Sequence, residues 1–341
     1  MPVIHFLNVY EGDCNIIEHG PYHGNRVTVI DVSNADNGVD TQAEQALKAS
    51  QARAEMRTRN YVPDGKINYG QKRLPDNPIE YLKKRNINSI FRFIITHPDM
   101  DHLDGVKDFF DSFTITNTWD TDNNKTMPAG SSFGPYNKED WDFYTDIRDG
   151  RYKGTGRHTF FEHNAVAYFT EDNINILCPS PELVTQANDE EEYHHLSYVA
   201  LYTPPKRGGG TWKFLFAGDS HDVSWELILE KYKEEISNID VLFAPHHGRD
   251  SGRNYDFLKV LNPKVTLMGN ASSEHLAYDK YPPIRITNNQ AGYVVLDITE
   301  DCFVIGVKNE AFATNFTRER SWPDPSNDWN LDAYPIIQFN A

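Results

Sequence analysis

Three times in this chain an apolar run of strand length stops abruptly at histidine or aspartate. Residues 90–95, interrupted only by Arg92, run into Thr96-His97-Pro98-Asp99-Met100-Asp101-His102. Phe214-Leu215-Phe216-Ala217 ends at Gly218-Asp219, and Val241-Leu242-Phe243-Ala244 ends at Pro245-His246-His247-Gly248. Runs of this kind read as strands buried on both faces. A layered α/β fold carries its binding loops at such strand ends. The pattern therefore asks for buried sheets that deliver several chain-distant turns to one edge. A fourth segment, Tyr193-His194-His195-Leu196-Ser197, opens a strand ahead of the Gly-Asp one.

Further strands are expected at 3–9, 14–18, 26–32, 166–169, 174–177, 197–202, 212–216, 265–268, 292–298 and 302–307, with Gly208-Gly209-Gly210 as a hairpin turn. Helices are expected at 78–85, where Pro78 stands at the start, and at 106–113, 223–235 and 255–261. Residues 120–140 read as loop, and 141–147 as an aromatic segment of unassigned type. From 36 to 77 the chain changes character. Residues 41–59 hold good helix formers, and the remainder is punctuated by Gly, Pro and Asn. This stretch is too short to bury a core of its own and reads as an insertion. The expected organisation is one domain over 1–308 and a C-terminal extension, 309–341, without periodicity.

The 341 residues are 39% hydrophobic and 13% aromatic, enough for a sizeable core and incompatible with disorder over most of the chain. No apolar run reaches the roughly 18 residues of a membrane span, and the N-terminal residues lack a basic, then apolar, export pattern. Cys14, Cys178 and Cys302 are odd in number and far apart, which points to a reducing, cytoplasmic setting without disulfides or a thiolate zinc site. The net charge of −17 opposes coating of nucleic acid by bulk electrostatics. Yet residues 41–95 hold eleven Lys/Arg against five Asp/Glu.

His97, Asp99, Asp101 and His102 place four metal-capable side chains within six residues. Two nearby cations suit that density better than one. Imidazole and carboxylate without thiolate fit zinc, manganese or iron. Asp219, at the end of its strand, is placed to bridge two ions. His194 or His195, and His246 or His247, are the remaining ligand candidates.

These motifs resemble those of the metallo-β-lactamase fold superfamily, and within it the ComEC-type hydrolase domain. Phe6 to Ile17 parallels that branch's opening FLDVGQGDAILI. Asp31-Val32-Ser33 parallels its DGG, Thr96 to Gly105 its SHPDADHIGG, Leu215 to Asp219 its LLTGD, and Ala244 to Arg249 its VPHHGS. Asn262 to Val265, followed by His275, parallels a later SPKV segment. Val-Ser after Asp31, Arg249 in place of serine and the long insertion are departures. The resemblance implies a four-layer αββα sandwich with two divalent ions, zinc or manganese, at one sheet edge. It implies His97 and Asp99 on the first ion, Asp101 and His102 on the second, and Asp219 between them. His195 falls at the superfamily's third-motif histidine, and His246 or His247 completes or borders the second site. His275 is implied as a ligand, a substrate contact or a proton donor.

The expected chemistry is metal-assisted hydrolysis, with Asp101 or Asp219 orienting the water and His247 or His275 as general acid. A phosphodiesterase acting on nucleic acid or a nucleotide leads. In that reading Arg53, Arg57, Arg59, Lys72, Arg73, Lys83, Lys84 and Arg85 hold phosphates. Alternatives are a hydrolase of a small ester, lactone, thioester or cyclic nucleotide, and a non-catalytic binding module on the same fold.

Overall fold

In the computed structural model, which describes residues 1–38, 69–128, 130–162, 171–271, 275–320 and 332–341, the apolar runs form strands whose alternate side chains face two different cores. Strands β1 (Val3–Phe6), β2 (Asn15–Glu18), β3 (Val27–Ile30), β4 (Ser89–Ile94), β5 (Thr114–Asp120) and β6 (Gly156–Thr159) come first. Then come β7 (Ile174–Cys178), β8 (Val199–Tyr202), β9 (Phe214–Phe216), β10 (Val241–Phe243), β11 (Val265–Met268) and β12 (Arg285–Thr287). Strands β13 (Val294–Ile298), β14 (Cys302–Val307) and β15 (Tyr334–Asn340) return to the first sheet. Among the described residues the sheets run β15-β14-β13-β1-β2-β3-β4-β5-β6 and β12-β11-β10-β9-β8-β7. Strands β3 to β6 and β9 to β12 are parallel within their sheets.

The alternation separates the layers. Phe214, Phe216, Val241, Phe243, Val265 and Leu267 point between the sheets, where they meet Ile4, Phe6, Ile30, Ile94 and Trp119. Leu215 and Leu242 point outward, onto Trp225 and Ile228 of the helix Asp222–Lys231 and onto the helix Phe257–Leu261 through Phe257 and Leu261. On the far side, Val29, Phe93 and Ile95 pack against Val106, Phe109 and Phe110 of the helix Val106–Ser112 and Trp141 and Tyr144 of the helix Lys138–Arg148. The helices are α1 (Pro78–Lys84), α2 (Val106–Ser112), α3 (Lys138–Arg148), α4 (Pro181–Glu190), α5 (Asp222–Lys231), α6 (Phe257–Leu261), α7 (Asn288–Ala291) and α8 (Glu310–Arg320). The result is the expected four-layer αββα sandwich. Asn77 caps α1 by accepting from Ile79 N–H (2.9 Å), and Ser180 caps α4 by accepting from Leu183 N–H (3.1 Å).

Several elements differ from the sequence reading. β5 is rich in Thr and Asn, which hides its strand character, but it is parallel to β4 and half of it is buried. The aromatic segment at 141–147 is the middle of α3. The residues after 308 supply α8, whose Phe312 and Phe316 join the inter-sheet core, and the edge strand β15. All three cysteines are free and buried. No described helix is long and apolar enough to cross a membrane. The expected strand at 166–169 and helix at 41–59 lie outside the described residues. The end of the insertion, from Tyr69 onward, is fastened to the body. Asn8 Nδ2 donates to the carbonyls of Gln71 (2.8 Å) and Leu74 (3.0 Å), and Lys308 pairs with Asp76 (2.6 Å).

Candidate metal centre

The parallel strands β3, β4, β9 and β10 end at the same edge, and their next residues form the centre. Asp31 follows β3, the His97–His102 loop follows β4, Asp219 follows β9, and the His246-His247 turn follows β10. Backbone hydrogen bonds lock these loops to one another. Asp31 N–H donates to Ile94 O (2.8 Å), Tyr198 N–H to Thr96 O (3.0 Å), and His246 N–H to Gly218 O (2.8 Å). Asp219 N–H donates to Ser197 Oγ (2.8 Å). Gly12, at φ 74, lets the β1–β2 loop pass so close to Asp101 that an added Cβ would collide with the Asp101 carbonyl.

Asp219 divides its carboxylate. Oδ1 lies 3.3 Å from His102 Nε2 and 3.5 Å from His247 Nε2, while Oδ2 lies 3.6 Å from His246 Nε2 and 3.9 Å from His97 Nε2. On the Oδ1 side Asp101 Oδ2 approaches His247 Nε2 (3.5 Å) and His102 Nε2 (3.9 Å). On the Oδ2 side Asp99 Oδ2 approaches His194 Nε2 (3.3 Å) and His97 Nε2 (3.7 Å). Three overlapping donor groups result: Asp101, His102, Asp219 and His247; His97, Asp99 and His194; and His194, Asp219 and His246.

The residues fit divalent cations. His97 Nε2, His102 Nε2, His247 Nε2 and Asp219 Oδ1 are buried with no hydrogen-bond partner, although orphaned polar atoms in a protein interior are costly. Their lone pairs are also turned the right way. Asp31 Oδ2 accepts from His102 Nδ1 (2.8 Å), which turns Nε2 toward the centre as the nitrogen that would meet a cation once its proton is displaced. The Thr96 hydroxyl donates to Asp31 Oδ2 (2.7 Å) and therefore meets His97 Nδ1 (3.1 Å) as an acceptor. Asp13 Oδ1 stands 3.1 Å from His247 Nδ1. Two consecutive left-handed residues, His246 (φ 52) and His247 (φ 56), turn both imidazoles into the centre. Such strain persists where the surroundings enforce it.

The electrostatics agree. Burial lowers the affinity of His102 and His247 for a proton. Asp219, Asp31 and Asp101 around the first, and Asp219, Asp13 and Asp101 around the second, outweigh it and raise both well above the usual imidazole range. Burial would raise Asp219, but His247, His102 and His97 hold it well below the carboxylate range. Asp101 is held at about 2, where His102 and His247 outweigh its burial. A pocket so rich in carboxylate draws positive charge. His246 and His221 are lowered to about 4, chiefly by burial.

Of the residues singled out in the sequence, His97, Asp99, Asp101, His102, Asp219 and His246 converge. His247 converges too, as a member of the Asp101 donor group. His194 is the histidine of its pair that enters; His195 joins none of the donor groups, because the turn of 3₁₀ helix over Tyr193–Leu196 sends adjacent side chains in different directions. His275 is exposed and joins none of them either, but its carbonyl accepts from Asp250 N–H (2.5 Å), which seats it beside the His246-His247 turn. Sequence reasoning assigned no role to Asp13 or Lys125. Asp13 carried a signal, the Gly-Asp pair between the first two strands; Lys125, in a loop, carried none.

Solved structures to which the chain is similar include metallo-β-lactamase fold proteins. They include a diphosphatase from the PhnP family (8% identity, TM-score 0.35, covering 84% of this chain and 94% of that one). The YhfI protein from Bacillus subtilis is at 9% identity and TM-score 0.34, covering 84% and 96%. The lactamase SMB-1 bound to 2-mercaptoethanesulfonate is at 11% and 0.32, covering 71% and 76%. No protein-family model matches the chain, and no curated protein does. At these identities and scores the reading of the centre rests on its own side chains.

Proposed function

We propose that the chain is a metal-dependent hydrolase that uses a pair of divalent cations, zinc or manganese, to cleave a phosphodiester of nucleotide size. The observation that carries this reading is the divided Asp219 carboxylate, with one oxygen facing each cluster of unpartnered donors. When bound, such a pair supplies the charge that polarises a phosphoryl group and lowers the pKa of water from about 15.7 towards about 7. His97, Asp99, His194 and His246 would hold one ion, and Asp101, His102 and His247 the other. Asp31 and Asp13 orient the imidazoles that meet the second. With His247 among the donors, His275 is the remaining candidate to protonate a leaving oxygen.

Support for a small substrate comes from the cations around the domain. Of the basic residues expected to track phosphates, Lys84 pairs with Asp332 (3.1 Å), Arg85 with Glu18 (2.9 Å), and Lys72 lies 3.9 Å from Glu11. Ammonium and guanidinium groups already engaged with carboxylates favour a small phosphodiester over a long nucleic acid. Arg53, Arg57 and Arg59 lie outside the described residues.

A hydrolysis panel with zinc, manganese or magnesium tests this. Bis-p-nitrophenyl phosphate and cyclic or linear dinucleotides are expected to turn over, and carboxyl esters and lactones not. Turnover of esters alone overturns the phosphodiester reading. Rapid cleavage of long DNA that falls steeply with salt would overturn the size assignment. Bound metal without turnover of any substrate would favour a binding module. His275→Ala should slow substrates with poor leaving groups more than p-nitrophenyl esters.

A further inference from the structure

The two halves of the centre are built unequally. On the Asp101 side both imidazoles are backed by carboxylates, His102 by Asp31 (2.8 Å) and His247 by Asp13 (3.1 Å). Carboxylates behind imidazole make the metal-facing nitrogen a stronger donor. The imidazoles there are deeply set, His102 fully buried and His247 3% exposed, while Asp101 at 27% is as open as Asp99 at 25% on the other side. On the Asp99 side, His97 is backed only by the Thr96 hydroxyl (3.1 Å). His194 and His246 are partly open to solvent. The one carboxylate that belongs to this side alone, Asp99, already has a cation on it: Lys125 Nζ bonds Asp99 Oδ1, the oxygen turned away from His97 and His194.

Lys125 is held there. Its ammonium lies over the Tyr193 ring (5.3 Å to the centroid), and the Tyr193 hydroxyl donates to Asn124 Oδ1 (2.9 Å). Its carbonyl accepts from Arg148 Nη1 of α3 (2.6 Å), and its N–H donates to Asn123 Oδ1 (3.3 Å). A fixed ammonium on the far oxygen of a ligand carboxylate draws off part of the negative charge that a metal ion would use, and it repels that ion through a partly desolvated medium.

We propose that Lys125 makes the two cation positions unequal: the Asp101–His102–His247 position fills first and holds its ion firmly, and the His97–Asp99–His194 position fills last and exchanges, so that the centre is completed only as free metal rises. This deepens the dinuclear reading above and rests on it.

Zinc titrated into the metal-stripped full chain, followed by calorimetry and by competition with a chromophoric chelator, tests it without reference to activity. The wild type should bind two ions in separate steps. Lys125→Met should tighten the weaker step by about tenfold, the lower end of what outer partners do to metal affinity, and leave the stronger step in place. Lys125→Arg, which keeps the charge, should behave as wild type. Lys125→Gln, which keeps a donor to Asp99 without the charge, should behave as Lys125→Met, separating charge from positioning. Two steps in the wild type that neither neutral variant shifts, or a weaker step that loosens further in both, overturn the role of Lys125 and leave the dinuclear reading standing. A single ion at saturation in every protein overturns both.

Discussion

Asp219→Asn keeps the shape of the bridging side chain but trades one charged oxygen for an amide, so one half of the centre loses its acceptor. Bound metal is expected to fall from two ions to one or none per chain, and hydrolysis by more than about 100-fold, beyond the loss typical of an outer partner. Asp13→Asn, which touches only the far nitrogen of His247, should cost about 10–100-fold in affinity for the second ion. Metal content by elemental analysis beside kcat separates the two. Equal losses in both variants would mean that Asp219 is no more than a neighbour of the site.

At the scale of elements, the centre depends on how β1 and β2 are pinned at the end away from the metal loops. His5 on β1 bonds Glu18 on β2 (2.8 Å), and Arg85 just past α1 reaches the same carboxylate (2.9 Å). Burial pushes the Glu18 carboxyl up, but the His5 hydrogen bond and the charges of His5 and Arg85 outweigh it and hold the pKa at about 2, below the ordinary 4.5. Because the folded value is the lower one, the stabilisation is complete above pH 4.5 and is lost as pH falls from there towards 2. Glu18→Gln should cost about 1 kcal/mol near neutrality. In urea unfolding, the gap between variant and wild type should be at full width above pH 4.5 and narrow steadily as the pH falls from there towards 2. A gap of constant width down to pH 3 would show that the charge plays no part.

For the molecule as a whole, the sandwich buries Asp13, Asp31 and Asp219, and Asp219 and Asp101 face imidazole nitrogens that have no hydrogen-bond partner. Without a cation only the imidazoles themselves offset that crowding, so a ligand that binds only the folded chain should stabilise it further. Zinc or manganese at 100 times its dissociation constant contributes about 2.7 kcal/mol. Melting temperature should therefore rise by roughly 4 °C between chelator-treated and metal-saturated protein, with magnesium less effective if imidazoles carry the binding. Unchanged melting with every cation would remove the metal centre from the molecule's energetics.

The layers of the fold were legible because hydrophobic alternation is local. Phe214 to Phe216 and Val241 to Phe243 announce strands buried on both faces wherever they sit in the chain. The types of donor were legible for the same reason, each at the end of such a run. β5, β15 and α8 were not, because their threonines, asparagines and charges satisfy a pattern only once neighbouring strands and cores are in place. Sequence by itself determined that imidazoles and carboxylates would stand at the ends of buried strands. Only the tertiary structure decided that His194 enters and His195 does not, that both His246 and His247 turn inward, that Asp219 splits its oxygens, and that Lys125 sits on Asp99. Those outcomes depend on backbone angles in single turns and on distances between segments from 26 to more than a hundred residues apart, and no local pattern encodes either.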